Sequence, residues 1–180
     1  MDKQAVWDVE RPSTWFRDHE YIVKPGMRVL DLACGRGRHS VGAALRGAEV
    51  VGIDSDESKL SDARSLAAKN GVEVSWVAGE LETMEIPTDF DLVLLFNYLD
   101  RGRFPDFLGA VKPGGWFLAE TFLSGQTLFG WGPTNPKHLL EPGELMDLIK
   151  PLDLVFGREV TEVIDNRNAV RASVLARRQQ

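Results

Sequence analysis

Five short apolar runs, spaced at fairly even intervals, constrain the fold of this chain more than any other feature. Each run is rich in β-branched or aromatic residues and is bounded by Gly, Pro, Asn or Asp, which is typical of a buried strand. The runs are MRVLDLA (27–33), AEVVGID (48–54), VEVSWVA (72–78), FDLVLLF (90–96) and GWFLAETF (115–122). Two helical patterns with cap signals, RHSVGAALRG and SDESKLSDARSLAAKNG, separate the first three runs. Because strands that alternate with helices form a parallel sheet covered on both faces, an α/β fold is predicted.

The carboxyl-terminal part of the chain has a different pattern. EPGELMDLIKPL predicts a helix with Pro142 near its first position. LDLVFGREVTEV and AVRASVLARR then flank the turn-rich segment IDNRN, with no helical pattern between them. We therefore expect an antiparallel hairpin that completes an otherwise parallel sheet.

Composition limits the classes of partner and the place where the chain works. A formal net charge of −6 argues against binding to nucleic acids or anionic membranes, because both are anionic and bind basic protein surfaces. No apolar run approaches the roughly 20 residues that cross a bilayer, and MDKQAVWDVE lacks the apolar core of a secretory signal. We expect a cytoplasmic protein with a small-molecule partner and no contact with membranes. One cysteine and three widely separated histidines predict no disulfide and no metal site.

The segment VLDLACGRGRHS (29–40) follows the first predicted strand, where open parallel sheets bind ligands. A P-loop is excluded because Ser40 stands five residues after Gly35, where that motif requires glycine. The dinucleotide-binding turn requires a third glycine, and this sequence has Ser40 at that position. Asp31 would also repel a pyrophosphate, while it would attract a ligand ammonium. A nicotinamide-dependent (NAD(P)) oxidoreductase therefore stays only as an alternative.

S-adenosylmethionine, which carries an ammonium group and a ribose diol, fits the same segment better. Asp31 can accept from the ammonium, while Gly35 and Gly37 let the backbone approach the ligand. Asp54 ends VVGID, 17 residues after Gly37, close to the offset expected for an acid that binds ribose hydroxyls. Asp54 could instead only cap the next helix, but its pairing with Asp31 and the glycines favours the ligand.

In order, the segments LDLACGRG, VVGIDSDE, WVAGELE, FDLVLLFNYLD and VKPGGWFLAET resemble the class I S-adenosylmethionine-dependent methyltransferases over roughly residues 27–122. ACGRGRHS and FNYLDR are most similar to the small tellurite-resistance-type branch of that family. The resemblance implies a Rossmann-like three-layer sandwich with a seven-stranded sheet. Its implied strand order is 3-2-1-4-5-7-6, with strand 7 antiparallel, which agrees with the predicted hairpin.

The resemblance also implies S-adenosyl-L-methionine as cofactor and assigns roles by position. Asp31 would serve the ammonium, Asp54 the ribose, and Ser55 would lie beside the adenine. Gly79-Glu80-Leu81 stands where Gly-Asp is usual, so Glu80 departs from the family pattern. The cofactor-binding residues implied in this way are Asp31, Ala33, Gly35, Gly37, Asp54, Ser55, Glu80, Leu81 and Asn97, the last at the floor of the methyl-transfer site.

Methyl transfer is an in-line displacement, so alignment of donor and acceptor can supply much of the rate. If the acceptor is an amine or hydroxyl, the candidate bases are Tyr98, Asp100 and His138. A thiolate or reduced metalloid would need no base. Tyr98 could equally pack at the sheet edge, and Asp100 could cap a short helix. We expect a methyltransferase acting on a small molecule, and the alternative is a non-catalytic module that binds or senses S-adenosylmethionine.

The domain organisation follows from the length and the motifs. At 180 residues the chain is about one domain long, with 43% apolar residues for its core. We predict an amino-terminal helical cap (1–26), whose helix begins near Ser13, and a cofactor-binding core (27–122). A substrate-side loop (123–141) and a helix with the closing hairpin (142–180) complete the chain. In this scheme Trp7 and Trp15 could cover the cofactor, with core packing the default for Trp15.

Two further side chains of the glycine turn are expected to be structural. His39, in the first turn of the following helix, is interpreted as a hydrogen-bond donor within the fold. Cys34 is interpreted as a packing residue and not as a nucleophile, because cysteine is among the most frequently buried residues.

Overall fold

Seven strands form one mixed sheet in the computed structural model, which describes residues 10–180. The strand order is β3-β2-β1-β4-β5-β7-β6, so the predicted order is confirmed. Strands β1 to β5 pair in parallel, while β7 runs antiparallel to both β5 and β6. The strands are β1 (Arg28–Leu32), β2 (Glu49–Asp54), β3 (Ser75–Ala78), β4 (Phe90–Phe96), β5 (Val111–Phe122), β6 (Asp153–Ile164) and β7 (Arg167–Arg177).

In the part of the chain that the structure describes, five helices and four short 3₁₀ segments precede or connect the strands. The helices are α1 (Thr14–His19), α2 (Arg38–Ala44), α3 (Glu57–Lys69), α4 (Phe104–Gly109) and α5 (Glu144–Leu148). The 3₁₀ segments are Glu20–Ile22, Arg101–Arg103, Ser124–Phe129 and Pro136–His138. Within residues 10–180, no helix combines the length and the apolar character needed to span a bilayer.

Cap residues account for where two of the helices begin. The Ser13 hydroxyl accepts from the backbone N–H of Phe16 at the start of α1, as the sequence predicts. The Asp56 carboxylate accepts from Ser58 N at the start of α3, at 2.9 Å. The prediction for Pro142 was wrong, because α5 begins two residues later, after Gly143 in the left-handed region (φ 82°).

Apolar side chains pack on both faces of the sheet. Alternate residues of β4 belong to two different clusters, since Leu92 and Leu94 pack with Trp15 and Phe16, whereas Val93 and Leu95 pack with Phe107. Trp15 is buried, and its indole N–H donates to Val174 O of β7 at 3.2 Å. The amino-terminal helix is thereby fixed to the sheet, and Trp15 has the expected core role. Trp7 lies outside the described residues.

Candidate functional site

A cleft of about 1210 Å³ opens at the carboxyl ends of β1, β2, β4 and β5. Asp54 and Ser55 line it after β2, and Asn97 lines it after β4. Trp131 and His138, from the segment that follows β5, also line it. Because β1 and β4 lie between β2 and β5 in the sheet, Asn97 stands between the two ends of the cleft. The structure thus joins the predicted cofactor segments and the predicted substrate-side loop in one cavity.

The turn after β1 adopts an unusual backbone conformation. Ala33 (φ 53°), Gly35 (φ 55°) and Gly37 (φ 79°) all lie in the left-handed region. A Cβ added at Gly37 would lie 2.6 Å from Cη2 of Trp76 and 2.9 Å from Cβ of Ala63. Gly37 is therefore needed for packing against β3 and α3, and it does not line the cleft, whereas Ala33 and Gly35 do.

Asp54 ends β2 with its carboxylate fixed by two backbone amides. Gly35 N donates to Oδ2 at 2.8 Å, and Asp56 N donates to Oδ1 at 2.9 Å. The cap of α3 is Asp56, so the interpretation of Asp54 as a mere helix cap was wrong. Each carboxylate oxygen keeps a lone pair that can accept from a hydroxyl in the cleft. A carboxylate held in this way can accept hydrogen bonds from both hydroxyls of a diol.

Asp31 lies at the end of β1 beneath the turn, with 1% exposure. The hydroxyl of Ser40 donates to Asp31 Oδ2 at 2.6 Å. Burial raises the pKa of Asp31 to about 7, although this hydrogen bond opposes the shift. Asp31 is not a lining residue of the cleft, so its contact with a ligand ammonium stays a prediction.

The predicted adenine-side residues divide into two groups. Ser55 and Leu81 line the cleft. Glu80 is exposed outside the lining, and its neighbour Glu82 lines the cleft instead. The departure from the family pattern at Glu80 therefore coincides with a side chain placed away from the cavity.

Asn97, directly after β4, presents an exposed side chain in the cleft from a left-handed backbone (φ 56°). Its N–H donates to Glu120 O at 2.9 Å, and its Oδ1 accepts from Arg171 Nη1 at 3.2 Å. Sequence reasoning missed Arg171. The signal that could have found it is an arginine at an inward position of the otherwise apolar strand AVRASVLAR.

The three candidate bases lie in different surroundings. Tyr98 lines the cleft, but its hydroxyl donates to Glu82 Oε1 at 2.8 Å, and burial together with that carboxylate raises the pKa of Tyr98. Asp100 accepts from Gly102 N at 3.0 Å, caps the segment Arg101–Arg103 and lies outside the lining. His138 lines the cleft and is exposed. The structure thus brings Tyr98 and His138 to the cavity, and it uses Asp100 as a cap.

His39 and Cys34 line the cleft but are held by the fold. Burial lowers the pKa of His39 well below its ordinary value, and its ring stacks on Phe96 with centroids 3.9 Å apart. Its Nε2 accepts from Ser13 N at 3.2 Å, so the expected donor is an acceptor at that nitrogen. Burial raises the pKa of the Cys34 thiol, which disfavours a thiolate.

No group of three or more His, Cys, Asp or Glu side chains within residues 10–180 is arranged to hold a metal ion.

Comparisons with known proteins agree with this geometry. The family model described as "Methyltransferase domain" matches residues 23–128. "Ubiquinone biosynthesis O-methyltransferase" of Pseudomonas putida (strain W619) is 36% identical over 162 residues, covering 81% of this chain and 70% of that protein. The protein of the same name from Stutzerimonas stutzeri (strain A1501) is 30% identical over 129 residues, covering 68% of this chain. This chain spans only 56% of that second relative.

Solved structures share the fold at low sequence identity. TehB from Haemophilus influenzae superposes with a TM-score of 0.80 and 21% identity, covering 93% of this chain and 63% of TehB. An S-adenosylmethionine-dependent methyltransferase from Mesorhizobium loti gives a TM-score of 0.73 and 20% identity, covering 92% of this chain and 98% of that one. The chain belongs to the methyltransferase-domain family of class I enzymes, whose cofactor is S-adenosyl-L-methionine.

Proposed function

We propose that this chain transfers a methyl group from S-adenosylmethionine to an oxygen of a small-molecule acceptor. One observation carries the proposal: a single cleft extends from Asp54, after β2, to His138 in the segment after β5. One cavity can therefore hold a donor and an acceptor side by side. The choice of oxygen rests on the relatives named as O-methyltransferases.

The residues at the cofactor end suit this donor. The Asp54 carboxylate, oriented by Gly35 N and Asp56 N, accepts from the ribose hydroxyls. Ser55 and Leu81 line the neighbouring wall, which we assign to the adenine. Asp31 stabilises the ammonium from beneath the turn, because a cation nearby favours its carboxylate form.

When bound, S-adenosylmethionine supplies an electrophilic methyl group on a sulfonium sulfur. The work left to the chain is to align the acceptor and to exclude water. Aromatic side chains from the loop, Phe129 and Trp131, cover one wall, and Phe96 and Phe122 extend from β4 and β5. His138 is the group we assign to take the acceptor proton, because it is exposed in the cleft, whereas the Tyr98 hydroxyl is engaged with Glu82.

Calorimetric titration with S-adenosylmethionine and S-adenosylhomocysteine tests the cofactor end. Asp54→Asn should weaken both ligands by about tenfold or more, because it removes a charge-assisted hydrogen bond. Asp56→Ser is the matched control, since it changes an acid two residues away but keeps a helix cap. Equal affinities for wild type and Asp54→Asn would refute the ribose role. No binding to the folded wild-type protein at about 1 mM would refute the proposed function.

A non-catalytic binding module is the alternative of a different class. Turnover distinguishes it from an enzyme. Labelled methyl transfer should be measured with a panel of phenols, thiols, amines and reduced metalloids. Methylation of a phenol oxygen is the expected result, and methylation of any panel member excludes a pure binding role. Methylation of thiols or metalloids alone would contradict the proposed oxygen acceptor.

A further inference from the structure

Arg171 is a buried charged residue on β7, with 3% exposure. Its Nη1 donates to Glu120 Oε1 at 2.9 Å and to Asn97 Oδ1 at 3.2 Å. Glu120 has 1% exposure and also accepts from Arg158 Nη2 at 3.4 Å, while Glu162 lies 3.8 Å from Arg171 Nε, so the four charges compensate one another. A buried ion pair is thereby in direct contact with a residue of the cleft.

The sheet register holds the guanidinium of Arg171 in place. Across β5 and β7, Arg171 stands opposite Phe122, and Ser173 stands opposite Glu120. The guanidinium carbon lies 4.5 Å from the centre of the Phe122 ring. Ser173 Oγ donates to Glu120 Oε2 at 2.7 Å, which fixes the carboxylate that Arg171 binds. The guanidinium of Arg171 is therefore held by Glu120 and Phe122 and not by solvent.

The chemistry of Arg171 determines which end of the Asn97 carboxamide faces it. A guanidinium only donates hydrogen bonds, so the Asn97 atom that it contacts is the oxygen. The amide nitrogen Nδ2 then points away from Arg171, with two N–H donors. Among residues 10–180, no group accepts a hydrogen bond from Asn97 Nδ2. The main chain at Asn97 is also fixed, because Asn97 N donates to Glu120 O at 2.9 Å.

We propose that Arg171 is a positioning residue that turns the amide nitrogen of Asn97 toward the acceptor, so that the cleft selects an acceptor presenting an oxygen anion at this point. This inference rests on the proposed function, since it concerns the acceptor of the same cleft. Arg171 acts through Asn97 and does not touch the acceptor.

Two physical consequences favour an oxygen anion. An N–H donor stabilises a negative oxygen, whereas an amine or ammonium would bring its own N–H groups against those of Asn97. One charged side chain at the acceptor end acts in the same direction. Arg167 lines the cleft beside Trp131, with its guanidinium carbon 5.8 Å from the centre of that ring, and so adds positive charge there.

The test uses 4-nitrophenol as a chromogenic probe and 4-nitroaniline as its neutral amine counterpart, both in the presence of S-adenosylhomocysteine. Wild-type protein should bind the phenolate and lower the pKa of the bound phenol, and it should bind the aniline more weakly. Asn97→Asp keeps the shape of the side chain but replaces the N–H donors by a carboxylate. It should weaken phenolate binding by about tenfold to a hundredfold. Asn166→Asp, the same change at another left-handed position (φ 62°) outside the lining, should have little effect.

A double-mutant cycle separates positioning from simple structural support. Arg171→Lys should weaken phenolate binding about tenfold when Asn97 is present. In an Asn97→Ala background the same substitution should change it little. Equal losses in both backgrounds would contradict the inference. Should Arg171→Lys fail to fold, Ser173→Ala takes its place in the same cycle, because it removes the hydrogen bond that fixes the Glu120 carboxylate holding Arg171.

Binding of S-adenosylhomocysteine, measured on every variant, keeps this inference apart from the proposed function. Wild-type protein that binds S-adenosylhomocysteine but not 4-nitrophenolate would overturn the inference and leave the methyltransferase proposal standing. Protein that is folded and binds neither ligand would overturn both.

Discussion

Asp31 shows how the fold changes the chemistry of a single side chain. The acid is buried beneath the glycine turn, and burial raises its pKa to about 7. In the protein without cofactor, this carboxyl group is therefore mostly protonated in mildly acidic solution. A ligand ammonium beside it favours the carboxylate, because an opposite charge stabilises the ionised form.

We predict that binding of S-adenosylmethionine releases a proton from Asp31 at about pH 6, and releases much less at about pH 8, where the group is already ionised. Calorimetry in buffers of different ionisation enthalpy measures the number of protons released. Asp31→Asn should remove the release at the lower pH. Equal proton release by the variant and the wild type would show that another group is responsible.

The same shift has a consequence for stability. Because the pKa of Asp31 is higher in the folded state than in the unfolded state, this group stabilises the fold at low pH. Its contribution decreases as the pH rises from about 4 to about 7. The free energy of unfolding of Asp31→Asn should vary less with pH over this interval. Urea titrations at several pH values measure this difference.

The sequence correctly located in the cleft the residues that end or follow a strand, and it missed two buried residues that support the cleft from elsewhere in the fold. Asp54 and Asn97 could be found because the carboxyl end of a parallel strand is a place for ligands. The apolar neighbours of Arg171 in its strand mark it as unusual, but neither its contact with Asn97 nor the role of Gln126 could be predicted, because both depend on partners that the tertiary fold brings together. The residue pattern of one strand does not determine which strand pairs with it in the sheet.

At the scale of elements, the segment 124–138 is held against β7 by one buried glutamine. Gln126 has 0% exposure, and its Oε1 accepts from Val170 N at 2.8 Å. Its Nε2 donates to Trp131 O at 3.0 Å and to Asn168 O at 3.4 Å. The long loop expected from the sequence therefore has a defined anchor, and the wall that includes Trp131 depends on it.

We predict that Gln126→Ala loosens this segment, because it leaves buried backbone groups without partners. The loss of stability should be about 1–3 kcal/mol. Because the free energy of local opening falls by this amount, tryptic cleavage after Lys137 should become about tenfold faster or more. Mass spectrometry measures the cleavage rate. Cleavage after Lys69 in α3 serves as the internal reference. Thr127→Ala, an exposed neighbour, should leave both rates unchanged, and equal rates for Gln126→Ala would refute the anchoring role.

The central strands β1, β2 and β4 were predictable because each one buries a largely apolar run between two layers of helices. The limits of β5 were not predicted correctly. It begins at Val111, before the predicted start at 115, and includes Pro113, Gly114 and Gly115, which are typical of a turn. The pairing with β4 shifts register between Phe90 and Leu92, and this irregularity accommodates the turn-like residues within the strand.

At the scale of the whole molecule, the two large apolar clusters share the same strands, since consecutive residues of β4 face opposite layers. Loss of the layer on one face would expose strands whose opposite face carries the second cluster. We propose that the chain is a single domain and predict that it unfolds in one transition. Tryptophan fluorescence and far-ultraviolet circular dichroism should give coincident urea curves. Two separated transitions would contradict the single-domain organisation.

The contact between Arg171 and Asn97 joins residues 74 positions apart in the chain. Asp54 and the turn after β1 are already present when β7 has not yet left the ribosome. A nascent chain therefore holds all the residues proposed for the donor before it holds the strand proposed to orient Asn97. In the proposed function, selection of the acceptor begins only when translation has delivered the closing hairpin.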